Sequence, residues 1–358
     1  MIEFRCLNKK MLEEFVNSGE FETFDFLPIT RHRAWSQIRN QKASDEDVLL
    51  TLVFFDGKLA GYLGSLPDEL QVGEQRIKFA WLSTLFVHEN FRGKRIAQQL
   101  LDLVFEKYAG KIAMTEFTPE AENLYNKTQK FDYITPMTGK RFYFKSQMAE
   151  IIPRKKPGMS FLKPFLMMGD FLLNFFISFK SGLRNSKNVD FQLLDFADDE
   201  IKIFLEDFAK NRSVEELDCI LKNPWILEGN QPDQRYVFSS YAKEFQYFWL
   251  KVFGENKKLE TCALLQLRDG HLKIPYLFSK DHIELFVHAL QRFNDEKNVK
   301  ALTSYQTSLN AELIQKSFGK LYQKDLERRY LFHKDLLKAL PADFEPSFQD
   351  GDGDPVFT

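Results

Sequence analysis

The stretch from Trp81 to Phe105 admits one local structure: a strand, a tight turn and a long helix. Trp81 to Val87 is a run of apolar and β-branched residues, the composition of a buried strand. Ile96, Ala97, Leu100, Leu101, Val104 and Phe105 recur with the 3.6-residue period of a helix that buries one face. Between the two stand Arg92, Gly93, Lys94 and Arg95. A turn of this kind leaves the first N–H groups of the helix pointing outward, and the helix dipole and basic side chains add positive potential. The corner is suited to holding a phosphate or a diphosphate.

The flanking residues extend the pattern. Val48 to Phe55, the pair Asp56-Gly57 and Lys58 to Leu66 read as strand, turn, strand. Ile2 to Leu7 reads as a first strand, and Lys9 to Val16 and Arg31 to Arg39 as the helices that follow. After the long helix, Lys111 to Phe117 reads as a strand. Pro119 to Phe131 reads as a helix with proline at its first position.

This order, with its motifs, resembles the GNAT superfamily, the Gcn5-related N-acetyltransferases. The family's motif A, Gln/Arg-x-x-Gly-x-Gly/Ala, is filled by Arg92, Gly93, Lys94, Arg95, Ile96 and Ala97. Arg92 and Ala97 match, and Arg95 stands where the family usually has glycine. An arginine there can offer its N–H if its backbone is helical. Motif B, commonly Ala-x-x-Leu-Tyr with Gly-Phe shortly after, is met by Ala121, Leu124 and Tyr125. Phe131 lies one place late, without the glycine. The resemblance covers residues 1 to 145 and implies acetyl-coenzyme A as cosubstrate. It places the diphosphate on the six residues of motif A, and the pantetheine arm and thioester carbonyl against the backbone of Leu85, Phe86 and Val87. Tyr125 would protonate the departing thiolate. Family members often carry a glutamate on the motif A strand, but Phe79 to Val87 has no carboxylate. Glu116, at the end of the next strand, is the candidate base, with Ser83 or Thr84 orienting a water chain as the alternative. His88 reads as a surface residue.

The implied reaction is acetyl transfer to a primary amine of a small molecule or peptide. Arg95, the absent strand glutamate and the absent motif B glycine leave a second reading open, a non-catalytic acyl-coenzyme A-binding or scaffold protein. A third is acyl or aminoacyl transfer at a membrane surface.

With 358 residues, two domains are expected. A formal net charge of −2 gives no basic character to suggest nucleic acid. Cys6, Cys219 and Cys262 are widely spaced, without metal-ligand or disulfide patterning, and the histidines lack metal spacing, so no metal site is expected. No signal-peptide-like run opens the sequence, which points to a cytoplasmic setting, with any membrane contact at the inner face.

From Val189 the order of elements begins again. The fold class expected is α/β (α+β), two GNAT-like domains, each a mixed, mostly antiparallel sheet flanked by helices and joined by an apolar helical linker. The divisions are 1–150, a linker at 151–188, a degenerate second domain at 189–340 and an acidic tail at 341–358. In the second copy Ser279-Lys-Asp-His-Ile283 stands where motif A would be. Phe161 to Phe179 is strongly apolar between basic flanks, but Lys163, Pro164 and Asp170 argue against a membrane span. Three readings stand: a helix buried between domains, a helix docked on a membrane interface, or the wall of an acceptor pocket. The tail alternates Asp350, Asp352 and Asp354 with glycine, like the start of a calcium-binding loop. The closing glutamate is missing, so by composition the tail reads as solvated.

Overall fold

The computed structural model describes residues 1–182, 189–208, 211–229, 234–280, 283–315 and 319–358. In chain order the first half gives β1 (Ile2–Leu7), α1 (Lys9–Asn17), α2 (Arg31–Ile38), β2 (Leu50–Phe55), β3 (Lys58–Val72) and β4 (Gln75–Val87). Then come α3 (Ile96–Lys107), β5 (Ile112–Thr115), α4 (Pro119–Thr128), β6 (Phe131–Tyr143), α5 (Met148–Lys155) and α6 (Lys163–Gly182). The second half gives β7 (Phe191–Leu194), α7 (Asp199–Glu206), α8 (Val214–Lys222), β8 (Leu227–Glu228), β9 (Tyr241–Ala242), β10 (Phe245–Phe253), β11 (Leu259–Arg268) and β12 (His271–Ser279). It ends with α9 (Ile283–Glu296), β13 (Ala301–Ser304), α10 (Thr307–Gln315), β14 (Tyr322–His333) and α11 (Lys334–Lys338).

The chain forms two compact units. The first comprises residues 1–137, 209–243 and 328–358; the second comprises 138–208 and 244–327. In the first, β1, β2, β3 and β4 pair antiparallel in sequence order, β4 meets β5 in parallel, and β5 pairs antiparallel with β14 through Thr115 and Tyr330. In the second, β7, β10, β11 and β12 pair antiparallel in turn. There β12 meets β13 in parallel, and β13 pairs antiparallel with β6 through Ala301 and Tyr143. The repeated order read from the sequence is thus a repeated pairing pattern. In each unit the sixth strand comes from the other half of the chain: β14 closes the first sheet and the end of β6 closes the second.

Packing follows the apolar periodicities. On α3, Ile96, Leu100, Leu101, Val104 and Phe105 are buried. They share a core with Val53, Ala60, Leu63 and Leu82 of the sheet, and with Tyr125 and Leu331. Truncating one of these leucines to alanine costs about 2–5 kcal/mol. The second unit has its own core, in which Phe286, Leu290 and Phe293 of α9 meet Leu250, Leu265 and Ile274 of the sheet. The segment 281–282, part of the sequence standing where a second motif A would be, lies outside the described residues.

Candidate active site

The site begins with a fault in the β3–β4 ladder. Leu63 faces Leu85, but Ser65 faces Leu82, so Ser83 and Thr84 together oppose the single residue Gly64. Glycine is required there, because a Cβ on Gly64 would lie 2.7 Å from both the Ser83 and Thr84 hydroxyl oxygens. A bulge of this kind bends its strand. The pairing of β4 with β5 correspondingly stops at Trp81 and Ala113. Leu85, Phe86 and Val87 continue beyond that point, half-buried and paired to β3 on one side only. The far edge of this segment carries backbone groups for an extended ligand arm.

The turn that follows ends at an unusual helix start. Arg95 is the residue before α3, with φ 57° and ψ 22°, and no side chain caps the helix N-terminus. Its backbone is therefore left-handed, not helical as the sequence pattern suggests. This is the conformation that the family's usual glycine would adopt without cost. Gly93, two residues earlier, is also left-handed, at φ 81°. Arg92, Gly93, Lys94 and Arg95 are exposed, Ile96 is anchored in the core, and Ala97 is half-buried. Lys94 rests its ammonium 3.6 Å from the centre of the Phe55 ring. Helix-start amides, left-handed turns and exposed cations are the features by which proteins attract anions. These residues fit a diphosphate.

Other residues converge on the side of the sheet where β4 and β5 part. Glu116 follows β5 with φ 52°, and its carboxylate lies 2.9 Å from Arg328 of β14. Arg328 is buried and also pairs with Asp350 at 2.6 Å. Tyr125, on α4, is 4% exposed and packs edge-on against Phe117. Burial first, and the negative charge of Asp354 second, push its hydroxyl above the ordinary tyrosine range. Tyr125 therefore keeps its proton throughout the physiological range.

The acidic tail is docked, contrary to its composition. Asp350 and Asp352 are buried. Asn211 donates to Asp352 at 2.8 Å, and Arg212 donates to the Gly353 carbonyl at 3.0 Å and to Asp68 at 2.9 Å. Burial alone would raise Asp68, but Arg212 and Lys42 reverse this and hold it low. Asp68 in turn accepts from the Trp81 indole at 2.9 Å. Gly353, at φ 90°, lies against that same indole ring. Phe348 packs edge-on to Trp81 and against Tyr330, while Phe357 stacks on Trp225 at 4.4 Å. Arg33 covers the Trp225 ring at 3.6 Å.

This leaves Asp354 half-exposed among Glu116, Tyr125, Arg33 and Arg328. Burial, and then the charge of Glu116, push its carboxyl up to about 7, against the pull of Arg33 and Arg328. Asp354, Arg328 and Arg33 were not legible as site residues. The one signal for the first was the regular Asp-Gly alternation of the tail. His88 stacks on Phe26 at 5.4 Å and accepts from the Asn90 amide, a local turn contact.

Residues 11–131 match the acetyltransferase (GNAT) family. The match spans 121 of the 358 residues, and members of that family transfer acyl groups from coenzyme A-linked donors. Solved structures extend the likeness of fold across both units. A probable N-acyltransferase from Enterococcus faecalis is 10% identical at a TM-score of 0.53, covering 94% of this chain and 73% of that one. A tandem GNAT protein from the clavulanic acid biosynthesis pathway is 11% identical at 0.51, covering 96% and 100%. A GCN5-related N-acetyltransferase from Kribbella flavida is 13% identical at 0.50, covering 92% and 71%. At these identities the likeness concerns the fold, a tandem GNAT architecture. No curated protein sequence matches the chain.

Proposed function

We propose that the chain transfers an acetyl group from acetyl-coenzyme A to a primary amine, with the chemistry in the first unit. The observation that carries this reading is the uncapped N-terminus of α3 beside a strand edge that β5 leaves unpaired. The backbone amides of Arg95, Ile96 and Ala97, with Arg92 and Lys94 around them, would hold the diphosphate, and the edge of Leu85, Phe86 and Val87 the pantetheine arm. Acetyl-coenzyme A supplies an activated acyl thioester.

The remaining work belongs to the protein's own groups. Fixing the amine beside the acyl carbon supplies much of the acceleration, because two reactants become one complex. Arg328 keeps the Glu116 carboxylate in place, and burial first, with that charge second, raises Asp354 into the range of a base useful at neutral pH. Asp354 takes the proton that the ammonium must lose before nitrogen becomes a nucleophile. Tyr125 holds a proton for a thiolate leaving group. Glu116 thus acts on the base rather than as the base. The surrounding carboxylates favour a cationic acceptor.

Titration calorimetry with acetyl-coenzyme A tests the donor assignment. The wild type binds, and Arg92→Ala with Lys94→Ala weakens binding by about tenfold or more, the loss of two charged phosphate contacts. Absence of binding by the wild type, or unchanged binding by the double variant, would refute the assignment. Release of free coenzyme A across a panel of amines tests transfer.

A further inference from the structure

The helix α6 is amphipathic in the wrong sense for a soluble protein. Its two central polar residues, Asp170 and Asn174, face inward. Asp170 accepts from the backbone amides of Met148 and Ala149 at 2.9 and 2.8 Å, and from the Ser146 hydroxyl at 2.5 Å. Asn174, one turn on, accepts from the Ser146 amide at 2.7 Å and donates to its carbonyl at 3.0 Å. These bonds cap the start of α5 and pin the middle of α6 to it. The large apolar side chains face away. Phe165, Phe171, Phe175 and Phe176 are 68%, 70%, 62% and 63% exposed, and Met167 and Met168 are exposed beside them. None of the window from 157 to 177 is buried, and its mean hydropathy is 1.3.

At about 100° of rotation per residue, the exposed apolar positions sweep roughly two-thirds of the helix circumference. A groove on a protein covers one stripe of a helix, whereas the acyl region of a bilayer covers a broad arc. The charges agree. Residues 151–188 carry seven basic residues and one acidic residue, in a chain whose formal net charge is −2. The one acidic residue is Asp170, which is engaged by the α5 amides. Arg154 and Lys155 end α5, and Lys156 follows. A helix of 20 residues is long enough to cross a bilayer, but this one is held at its midpoint by the folded unit. It can only lie flat.

From this inverted helix we infer that residues 157–177 dock the protein on an anionic membrane surface. α6 lies in the interface plane, its phenylalanines enter the acyl boundary, and Arg154, Lys155 and Lys156 meet lipid phosphates. Of the three readings of this segment, the membrane interface is the one that its exposed apolar face supports. The inference stands apart from the transferase reading, because its test does not use activity.

The full chain is floated on sucrose gradients with phosphatidylcholine vesicles, with and without about one-third phosphatidylglycerol. The wild type rises with the anionic vesicles and binds them on the order of a hundredfold more tightly than neutral ones, the contribution of three basic residues near the surface. Phe171→Asp with Phe175→Asp abolishes flotation and leaves the melting temperature unchanged, because both side chains are exposed. Arg154→Glu, Lys155→Glu and Lys156→Glu together remove the preference for anionic lipid. Three results would each overturn the proposal: a wild type that stays at the bottom of the gradient, flotation indifferent to lipid charge, or an α6-dependent dimer by light scattering that does not float.

Discussion

Replacing Asp354 by asparagine separates what this residue costs the fold from what it gives the reaction. The carboxyl ordinarily titrates near 3.8 and here near about 7, roughly three units higher. Each unit corresponds to about 1.4 kcal/mol, so the folded protein pays up to about 4 kcal/mol to ionise this group. The figure is a ceiling, because Asp354 is partly exposed. The folded state holds the proton more tightly than the unfolded chain. This contribution to stability is therefore complete below about pH 4 and is lost as pH rises through about 7. Asparagine cannot ionise. In urea titrations Asp354→Asn should match the wild type near pH 4 and exceed it by up to about 4 kcal/mol above pH 8.

Activity should move the other way. A positioned base contributes about 10²–10⁴ in rate, and kcat for Asp354→Asn should fall within that range. The wild-type profile should rise with pH through about 7, and the variant should lose that limb. Unfolding followed by fluorescence at several pH values gives the first quantity. Thiol release followed with a thiol-reactive dye gives the second. A stability difference independent of pH would refute the electrostatic account. A variant that kept the limb near pH 7 would remove Asp354 from the proton transfer.

Three further variants probe the rest of the site. Tyr125→Phe keeps the buried ring and removes the proton donor; kcat should fall about tenfold with stability changed by less than about 1 kcal/mol, read by thiol release and urea unfolding. Arg95→Gly relieves a left-handed backbone and should raise stability by up to about 1 kcal/mol while acetyl-coenzyme A binding, measured by calorimetry, stays within a few-fold. Arg328→Ala leaves Glu116 and the buried Asp350 without their shared cation, and should destabilise the protein by about 3–5 kcal/mol. Faster proteolysis of the tail should accompany that loss.

Local features were legible in the sequence, and features requiring distant counter-charges were not. The stripe on α3 and the basic turn before it are decided within about twenty contiguous residues, and both are present where the pattern puts them. The second half of β3 was missed. The strand read from the sequence ends at Leu66, yet the hairpin runs on through Pro67 and Asp68 to Val72, with Asp68 neutralised inside the fold by Lys42 and Arg212. The tail failed for the same reason. Its aspartates look solvated until Arg328, Arg212 and Asn211 are brought to them. On α6 the apolar composition was plain, but which face turned outward depended on Asp170 finding the amides of α5.

The same division runs through the site itself. Recognition of a diphosphate needs consecutive backbone amides at a helix start, so it must be encoded in one contiguous stretch. The family match, residues 11–131, contains that stretch. A base poised near neutrality needs burial and a neighbouring like charge, which any part of the chain can supply once the fold brings it near. In the proposed mechanism it comes from residues 350–358, held by Arg328 on the strand that closes the first sheet. On this proposal, donor binding and proton transfer occupy different parts of the sequence. Substitutions in 328–358 should change the pH profile and acceptor turnover while leaving coenzyme A affinity nearly intact, and removal of the basic side chains of Arg92 and Lys94 should do the reverse.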